Sequence, residues 1–271
     1  MRNEEIPPPI SSSPVSSIQN RVPMRIAIIS DVHSNLEALK AVLDEIEKDN
    51  ISLVVNLGDL VGYNANPKEC VDLVQERKII SILGNHDRAA TELRYAEGFN
   101  ILAYQALVWS AKTLSAGHKQ FLNSLEHTKV LWDRYLFFHG APENPDAYIF
   151  YLFQAKKVFT YMRKKTPRVR IAFFGHTHHR AVWHRDIRGK VSQLEISEDQ
   201  LVLDAEQMYL INPGSVGQPR QKQWKASYLV FTNEPETIHF RSVAYDVHSA
   251  QNKIREAHLP EYLAERLETG I

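Results

Sequence analysis

The sequence predicts an α/β fold that contains two β-sheets. Between residues 24 and 83, three short apolar runs alternate with two segments of helical periodicity, a pattern typical of parallel strands joined by right-handed crossovers. After residue 178 the pattern changes to short strands separated by turn residues, which indicates a second, largely antiparallel sheet packed against the first. Residues 88–127 have apolar side chains at helical spacing, and we expect them to form an inserted helical cap.

The elements of the first half each have a local signal. Short apolar runs bounded by glycine or polar residues predict strands that are buried on both faces. Asn35 precedes an apolar stripe at helical spacing, and Pro67 suits the first turn of a second helix. The predicted elements are strands at 24–30, 51–57 and 78–83, and helices at 35–50 and 67–77.

The second half continues with two more apolar runs and then changes character. The runs at 129–138 and 170–174 are predicted strands, with a helix between them. Turn residues then separate shorter apolar segments, and helical spacing returns near the end of the sequence. The remaining predicted elements are a helix at 152–165, strands at 181–187, 190–196, 200–204, 207–211, 226–232 and 236–244, and a helical segment at 247–267.

Composition and charge limit the classes of function. Lys+Arg and Asp+Glu both total 32 among the 271 residues, so no global basic field attracts nucleic acid or an anionic membrane. The single cysteine, Cys70, excludes an intrachain disulfide, and no apolar stretch is long enough to span a bilayer. We therefore expect a cytoplasmic protein. Residues 1–23 are rich in proline and serine, and we expect a disordered leader before a domain at 24–271.

Polar side chains stand at the ends of five predicted strands. Asp31 and His33 follow the first strand, two residues apart, and on an extended backbone they would point the same way. Ligand sites in parallel sheets lie beyond the carboxyl ends of the strands, so we expect the five ends to share one site. The other strand ends carry Asp59, Asn85, His86, Asp87, His139, His176 and His178.

Seven of these groups form a set of nitrogen and oxygen donors without a thiolate. Such a set suits two divalent transition-metal ions, with manganese favoured over iron, zinc, cobalt or nickel, and its imidazoles argue against magnesium or calcium alone. Seven ligands exceed the need of one ion with an open position, whereas two ions that share the Asp59 carboxylate would use them all. The predicted metal ligands are Asp31, His33, Asp59, Asn85, His139, His176 and His178.

A pair of metal ions indicates a displacement reaction at phosphorus. In such sites a water that bridges the two ions is acidified toward hydroxide and attacks phosphorus, while the ions neutralise charge on its oxygens. His86 is not needed as a ligand and is placed to protonate the leaving oxygen as the general acid. We expect Asp87, the next residue, to hold the imidazole in the required tautomer.

The arrangement resembles the calcineurin-like metallophosphoesterase superfamily, whose motifs are D-x-H, G-D, G-N-H-D/E, H and G-H-x-H. Similarity is greatest to the branch of diadenosine-tetraphosphatase-related and YfcE-like phosphodiesterases, through residues 58–63, 139–142, 212–220 and 226–228. The five motifs occur in order as Asp31-Val32-His33, Gly58-Asp59, Gly84-Asn85-His86-Asp87, His139 and Gly175-His176-Thr177-His178.

The resemblance implies a four-layer α/β/β/α sandwich and a hydrolase that acts on a small phosphoester or nucleotide. It implies His86 as the acid. Asn85 is a candidate for contact with the substrate, and residues 212–220 are either a loop near the site, in which Arg220 contacts a phosphate oxygen, or a simple Pro/Gly turn. The implied ligands are Asp31, His33, Asp59 and His178 for the first ion, and Asp59, Asn85, His139 and His176 for the second.

Departures from the family pattern concern the substrate. Asn64 and Ala65 replace a common Gly-Pro pair, and residues 221–225 replace an acidic stretch. Both changes lie outside the predicted ligands, so we expect them to affect substrate choice rather than catalysis. The aromatic run at 148–153 either stacks a nucleobase or packs in the core or against the cap, and the second interpretation is favoured.

Two other functions are open at this point. A protein Ser/Thr phosphatase would share the chemistry, although the sequence offers no obvious peptide groove. A non-catalytic scaffold would share the fold, as the retromer subunit of the superfamily does, but the complete ligand set and His86 argue against it. A homo-oligomer built through the second sheet or the cap is also compatible with the sequence.

Overall fold

The computed structural model describes residues 23–222 and 224–271, so the predicted leader at 1–23 lies almost entirely outside the described residues. Within those ranges the chain forms two six-stranded β-sheets flanked by helices, which confirms the α/β class. The helices are α1 (Leu36–Lys48), α2 (Pro67–Glu76), α3 (Asn85–Thr91), α4 (Ile101–Thr113), α5 (Ala116–Asn123), α6 (Leu152–Lys165), α7 (Val247–Glu256) and α8 (Glu261–Thr269). The strands are β1 (Arg25–Ile29), β2 (Leu53–Asn56), β3 (Ile80–Ser81), β4 (Thr128–Leu131), β5 (Tyr135–Phe138), β6 (Ile171–Phe173), β7 (Arg180–Arg185), β8 (Val191–Leu194), β9 (Gln200–Val202), β10 (Met208–Pro213), β11 (Ala226–Asn233) and β12 (Glu236–Val243).

The first sheet has the strand order β3-β2-β1-β11-β12-β9. Strands β1, β2 and β3 are parallel, as predicted, and β11 runs antiparallel to β1 with Ala27 opposite Val230. Strands β1 and β11 lie in the middle of the sheet, and helices cover one of their faces while the second sheet covers the other. Burial on both faces explains their continuous apolar runs.

The second sheet has the order β4-β5-β6-β10-β7-β8, in which β5, β6 and β10 are parallel. The predicted division into a parallel and a largely antiparallel sheet is therefore wrong in part. Both sheets are mixed, because β11, β12 and β9 complete the first sheet while β5 and β6 belong to the second. Hydrophobic periodicity reports whether a strand is buried, and it does not identify the strand that pairs with it.

Three apolar layers join the sheets and helices into the four-layer α/β/β/α sandwich that the resemblance implies. On β1, Ile28 packs between the two sheets, whereas Ile29 packs against the helices that cover the first sheet. On the second sheet, Phe173 faces the first sheet, whereas Phe174 lies in the layer formed with α6. Alternation of side chains along each strand thus fills two layers at once.

Three predicted elements have different boundaries. The strand expected at 129–138 is a hairpin of β4 and β5, in which Trp132 and Asp133 adopt left-handed φ angles of 52° and 57°. The helical cap begins at Asn85 rather than residue 88 and divides into α3, a 3-10 turn at Leu93–Ala96, α4 and α5. The segment expected at 247–267 is a pair of helices, α7 and α8.

Replacing Phe173 with alanine should lower the free energy of unfolding by about 3–5 kcal/mol, because the ring is fully buried between the sheets. It lies 5.3 Å from the ring of Phe137 and 5.5 Å from that of Phe231, measured between centroids. Urea titration checks this value. Phe153→Ala, at a position 57% exposed, is the control and should change stability by less than about 0.5 kcal/mol. A loss below 1 kcal/mol for Phe173→Ala would contradict this packing.

Candidate metal centre

The seven predicted ligand side chains converge where the parallel strands of the two sheets end. Docking of one sheet on the other assembles them, because each sheet contributes part of the set. Every one of the seven is at most 5% exposed. Asp31, His33, Asp59 and Asn85 follow strands of the first sheet, and His139, His176 and His178 follow strands of the second.

Asp31, His33 and His178 form the first cluster, with candidate donor atoms within 4.8 Å of one another. The Nε2 atom of His178 is 3.1 Å from Nε2 of His33 and 3.4 Å from Oδ1 of Asp31. The Ser30 hydroxyl donates to Asp31 Oδ2 at 2.6 Å, and the backbone N–H of His176 also points to this carboxylate. Asp31 is therefore fixed in orientation by both sheets.

Asp59, His139 and His176 form the second cluster within the same 4.8 Å limit. The Nε2 atom of His139 is 3.2 Å from Nδ1 of His176 and 3.0 Å from Oδ1 of Asn85. The Asp59 Oδ2 atom lies between the clusters, 3.3 Å from His139 Nε2 and 3.6 Å from His33 Nε2. This is the geometry expected of a shared carboxylate.

Each of the four histidines directs its outer ring nitrogen at a backbone carbonyl oxygen. A carbonyl only accepts, so the outer nitrogen carries the proton and the inner nitrogen of a neutral imidazole has a free lone pair. The inner nitrogens of His33 and His178 thus face one another as two acceptors, and a cation would turn their repulsion into coordination. The residues fit a metal centre on this ground. The outer contacts are His33 Nδ1 to Val61 O at 3.0 Å, His139 Nδ1 to Leu57 O at 2.9 Å, His176 Nε2 to Asp146 O at 3.2 Å and His178 Nδ1 to Gln218 O at 2.6 Å.

Burial keeps most of these imidazoles neutral. It lowers the pKa of His33 and of His178 well below the usual value and lowers the pKa of His176 to about 3. Burial also raises the pKa of the Asp31 carboxyl to about 7. Isolated charge is therefore costly here, and the groups are neutral donors that a metal ion would stabilise.

The surroundings of Asp59 favour positive charge. Burial acts to raise the pKa of Asp59, but His139 and His86 outweigh it and hold that pKa below its usual range. Burial likewise acts to lower the pKa of His139, but Asp59 outweighs it and raises that pKa to about 9. Positive charge is thus stabilised between His139 Nε2 and Asp59, and there a proton takes the role that a metal cation would have.

The ligand loops have an unusual backbone. A left-handed conformation costs a residue other than glycine about 1–2 kcal/mol, so packing of the surrounding structure must maintain it. The expected extended backbone at Asp31 and His33 is therefore wrong, and a turn rather than strand alternation brings these side chains together. The predicted ligands with a left-handed backbone are Asp31 (φ 55°), His33 (48°), Asp59 (55°), His176 (65°) and His178 (60°).

Gly84→Ala should remove metal binding and destabilise the fold, because an added Cβ would lie 2.1 Å from both the N and Oδ1 atoms of Asp59. Metal content after dialysis and a thermal melt measure the two effects. Gly117→Ala in α5 is the matched control, since its Cβ would be 3.8 Å from the nearest of the neighbouring atoms. That change should raise stability by about 0.5–1 kcal/mol. Full metal content in Gly84→Ala would refute the close approach.

His86 lies at the start of α3, within 4.8 Å of donor atoms of Asp59 and His33. Its backbone N–H donates to Asp59 Oδ1 at 2.8 Å, and its ring packs against Phe99 with centroids 4.7 Å apart. Its buried Nδ1 atom has no hydrogen-bond partner among the described residues. Burial lowers the pKa of the His86 imidazole to about 4.

Asp87 contacts the backbone rather than the His86 ring. Its carboxylate accepts from the N–H of Val61 and from the N–H of Gly84, both at 3.1 Å. These bonds join the loop after β2 to the first turn of α3, so Asp87 fixes the position of the residue beside it. The expected hydrogen bond between the two side chains is not among the contacts of the described residues.

The structure adds residues that the sequence reasoning did not assign to the site. Tyr148 stacks on the ring of His176 with centroids 4.0 Å apart and is 42% exposed. It borders a cleft of about 300 Å³ together with His86 and Phe99. The favoured interpretation places the run at 148–153 in the core or against the cap. Burial in the core holds for Ile149 and is wrong for the other side chains of the run, which are at least 41% exposed. Asn64 is buried and donates from Nδ2 to the His33 carbonyl at 2.7 Å, so it supports a ligand loop.

A buried cluster of nitrogen and oxygen donors, at converging strand ends of a four-layer α/β/β/α sandwich, defines a metal-dependent phosphoesterase. The chain belongs to the calcineurin-like phosphoesterase superfamily, whose domain model matches residues 24–235. This confirms the family predicted from the five motifs. No helix within 23–222 and 224–271 is long and apolar enough to cross a membrane.

The chain is similar to other proteins of known sequence or structure. The chain is 38% identical over 250 residues to an uncharacterized protein of Methanocaldococcus jannaschii, covering 90% of this chain and 98% of that protein. It is 35% identical to a metallophosphoesterase from Sphaerobacter thermophilus, with a TM-score of 0.77 over 92% of this chain and 100% of the other. A hypothetical protein from Pyrococcus horikoshii OT3 has the same fold, at 18% identity and a TM-score of 0.75 over 92% and 99% of the two chains.

Proposed function

We propose that this phosphoesterase uses two metal ions, with manganese favoured, to hydrolyse phosphodiesters or nucleotides. The observation that carries the proposal is the pair of inner nitrogens of His33 and His178, which face each other as acceptors at 3.1 Å. The ligands of the first ion would be Asp31, His33, Asp59 and His178. The ligands of the second ion would be Asp59, Asn85, His139 and His176.

Bound metal ions would supply an activated water nucleophile and neutralise charge on the phosphoryl oxygens. The chain's own residues fix where this happens. Asp59 holds both clusters together, and the backbone carbonyls behind the histidines fix their tautomers. Because the ligands are buried, the site excludes bulk water and the charges act at full strength.

His86 would protonate the leaving oxygen. It lies at the wall of the cleft, beside the shared carboxylate Asp59. Burial alone favours its neutral form, and a negatively charged substrate in the cleft would favour the protonated form. Asp87 would position His86 through the backbone of α3.

The cleft beside the ligands supports a substrate with an aromatic or similarly flat group. Tyr148 and Phe99 present ring surfaces to it, and Asn85 and His86 present polar atoms. Tyr148 could stack a nucleobase, because every base has a π-face. Arg220 lies beside His178 in a neighbouring cavity, where it would bind a phosphate oxygen. The single cysteine supports a reducing, cytoplasmic setting.

The test is a paired rate assay after reloading with Mn²⁺, using bis-p-nitrophenyl phosphate and p-nitrophenyl phosphate. Chelator-treated protein and the variant His139→Ala serve as controls. We expect metal-dependent turnover that favours the diester and is lost in both controls. A preference for the monoester would instead support a protein phosphatase. No turnover of either substrate, with two metal ions bound per chain, would support a scaffold and overturn the proposal.

A further inference from the structure

Two arginines near the metal centre have no acidic side chain as a partner among the described residues. Arg220 lies in the loop after β10, and Arg266 lies in α8. Within 23–222 and 224–271, no side-chain carboxylate is within ion-pair distance of either guanidinium. The Arg220 Nη2 donates to Gln218 Oε1 at 3.0 Å, and its buried Nε has no hydrogen-bond partner there. A guanidinium that is partly desolvated and unpaired is costly unless an anion binds to it.

Arg220 is connected directly to the first ligand cluster. It lines a cavity of about 150 Å³ together with His178. The backbone carbonyl of Gln218, two residues before it, accepts from His178 Nδ1 at 2.6 Å. The same loop therefore orients a metal ligand and places a guanidinium beside it.

Arg266 lies beside Tyr63, whose ring packs against two histidines of the site. Its guanidinium carbon is 5.9 Å from the centroid of the Tyr63 ring. That ring lies 4.7 Å from the His33 ring and 4.8 Å from the His86 ring. Its Nε donates to the main-chain oxygen of Ile271 at 2.6 Å, which leaves the outer nitrogens for a ligand.

The two positive charges act on one another. Burial lowers the pKa of Arg266, and the charge of Arg220 lowers it further. Burial raises the pKa of Tyr63, while both arginines act to lower it. Two like charges that share a partly buried space, with no acidic side chain paired to either among the described residues, are stabilised further when a multivalent anion binds between them.

The fold holds Arg266 in place rather than leaving it on a loose end. Leu263, Ala264 and Leu267 of α8 are buried in the layer that covers the first sheet. Gln251 of α7 donates to the Ala264 carbonyl at 3.1 Å, and an ion pair between Lys253 and Glu37 ties α7 to α1. Helix α8 lies outside the residues that match the family domain, 24–235. The pair α7–α8 thus adds a fixed cation to the shared site.

We propose that Arg220 and Arg266 form a second anion site, next to the metal centre, that binds another phosphate of the substrate. The substrate would then contain two or more linked phosphates rather than one. This inference rests on the proposed function, because it assumes that the scissile phosphate lies at the metal ligands. Arginine suits the role, since its planar fork binds two oxygens of a phosphate at once.

The test measures binding of inorganic phosphate and pyrophosphate to the Mn²⁺-loaded full chain by calorimetry, with free Mn²⁺ held constant. We expect pyrophosphate to bind at least about tenfold more tightly than phosphate. Arg266→Gln and Arg220→Gln should each lower the affinity for pyrophosphate about tenfold more than the affinity for phosphate. Arg266→Lys should restore part of the affinity. Arg163→Gln, an exposed change of the same charge on α6, should leave both affinities unchanged.

The outcomes separate this inference from the proposed function. Equal affinity of the wild type for the two anions, or equal loss for both anions in the glutamine variants, would overturn the second anion site. If Arg266→Gln does not fold, Arg266→Lys and Arg220→Gln still decide the question. Pyrophosphate selectivity in a protein that hydrolyses no phosphoester would leave the anion site standing and overturn the proposed function.

Discussion

Asp59→Asn is expected to lower kcat/KM for bis-p-nitrophenyl phosphate by at least about 10³-fold, because metal ions supply several kcal/mol of charge stabilisation and each 1.36 kcal/mol is tenfold in rate. The Oδ2 atom of Asp59 lies between the clusters, 3.6 Å from His33 Nε2 and 3.3 Å from His139 Nε2. An amide has the same shape but lacks the negative charge that two cations would share. The binding of both ions should therefore be weakened together.

Elemental analysis of dialysed protein measures that effect separately from the rate. Wild-type protein should retain two ions per chain, and Asp59→Asn should retain fewer than one. Asp44→Asn, at an exposed position of α1, is the control for a change of charge and should match wild type. Retention of both ions by Asp59→Asn with full turnover would exclude Asp59 as the shared ligand.

His86→Gln is expected to slow a substrate with a poor leaving group much more than a substrate with a good one. Protonation of the leaving oxygen by a general acid is worth about 10²–10⁴-fold in rate, and a good leaving group needs little of it. Turnover of diphenyl phosphate should therefore fall by at least about 10²-fold, and turnover of bis-p-nitrophenyl phosphate by less than about tenfold. Metal content should not change, because His86 is outside the proposed ligand sets.

The comparison of the two leaving groups distinguishes acid catalysis from a structural role. His118→Gln, at a partly buried histidine of α5 that pairs with Asp72, is the control and should affect neither substrate. Equal losses on both substrates in His86→Gln would instead indicate that His86 supports the site. Loss of one ion would indicate that it acts as a ligand, which its distance from Asp59 and His33 also permits.

Much of the candidate metal centre could be predicted because its residues follow a pattern along the sequence, in which polar residues come directly after apolar runs. An apolar run that stops at Gly58-Asp59 or Gly84-Asn85 marks a strand end, and parallel strand ends meet. The left-handed backbone at Asp31 and His178 has no such pattern, since neither residue is glycine. Packing between the two sheets imposes that conformation, and local sequence does not encode it.

The contributions of distant segments were harder to predict for a related reason. Tyr148 looked like a core residue because aromatic runs are usually buried, yet it stacks on His176 at the mouth of the cleft. Arg266 lies in a helix that is an ordinary amphipathic segment by sequence, and its importance depends on the position of Tyr63 in space. Likewise β11 pairs with β1 across 200 residues of sequence, which periodicity along the chain cannot report.

The division of the ligands between two sheets has a consequence for the order of folding. His33 and His178 are 145 residues apart, and their inner nitrogens meet only after the sheets have docked. A chain that has folded one sheet offers neither ion its full set of donors, so tight metal capture is a late event that follows closure of the largest loops. The time at which metal is taken up during refolding therefore reports when the two sheets dock. Metal uptake should lag behind the appearance of helical structure.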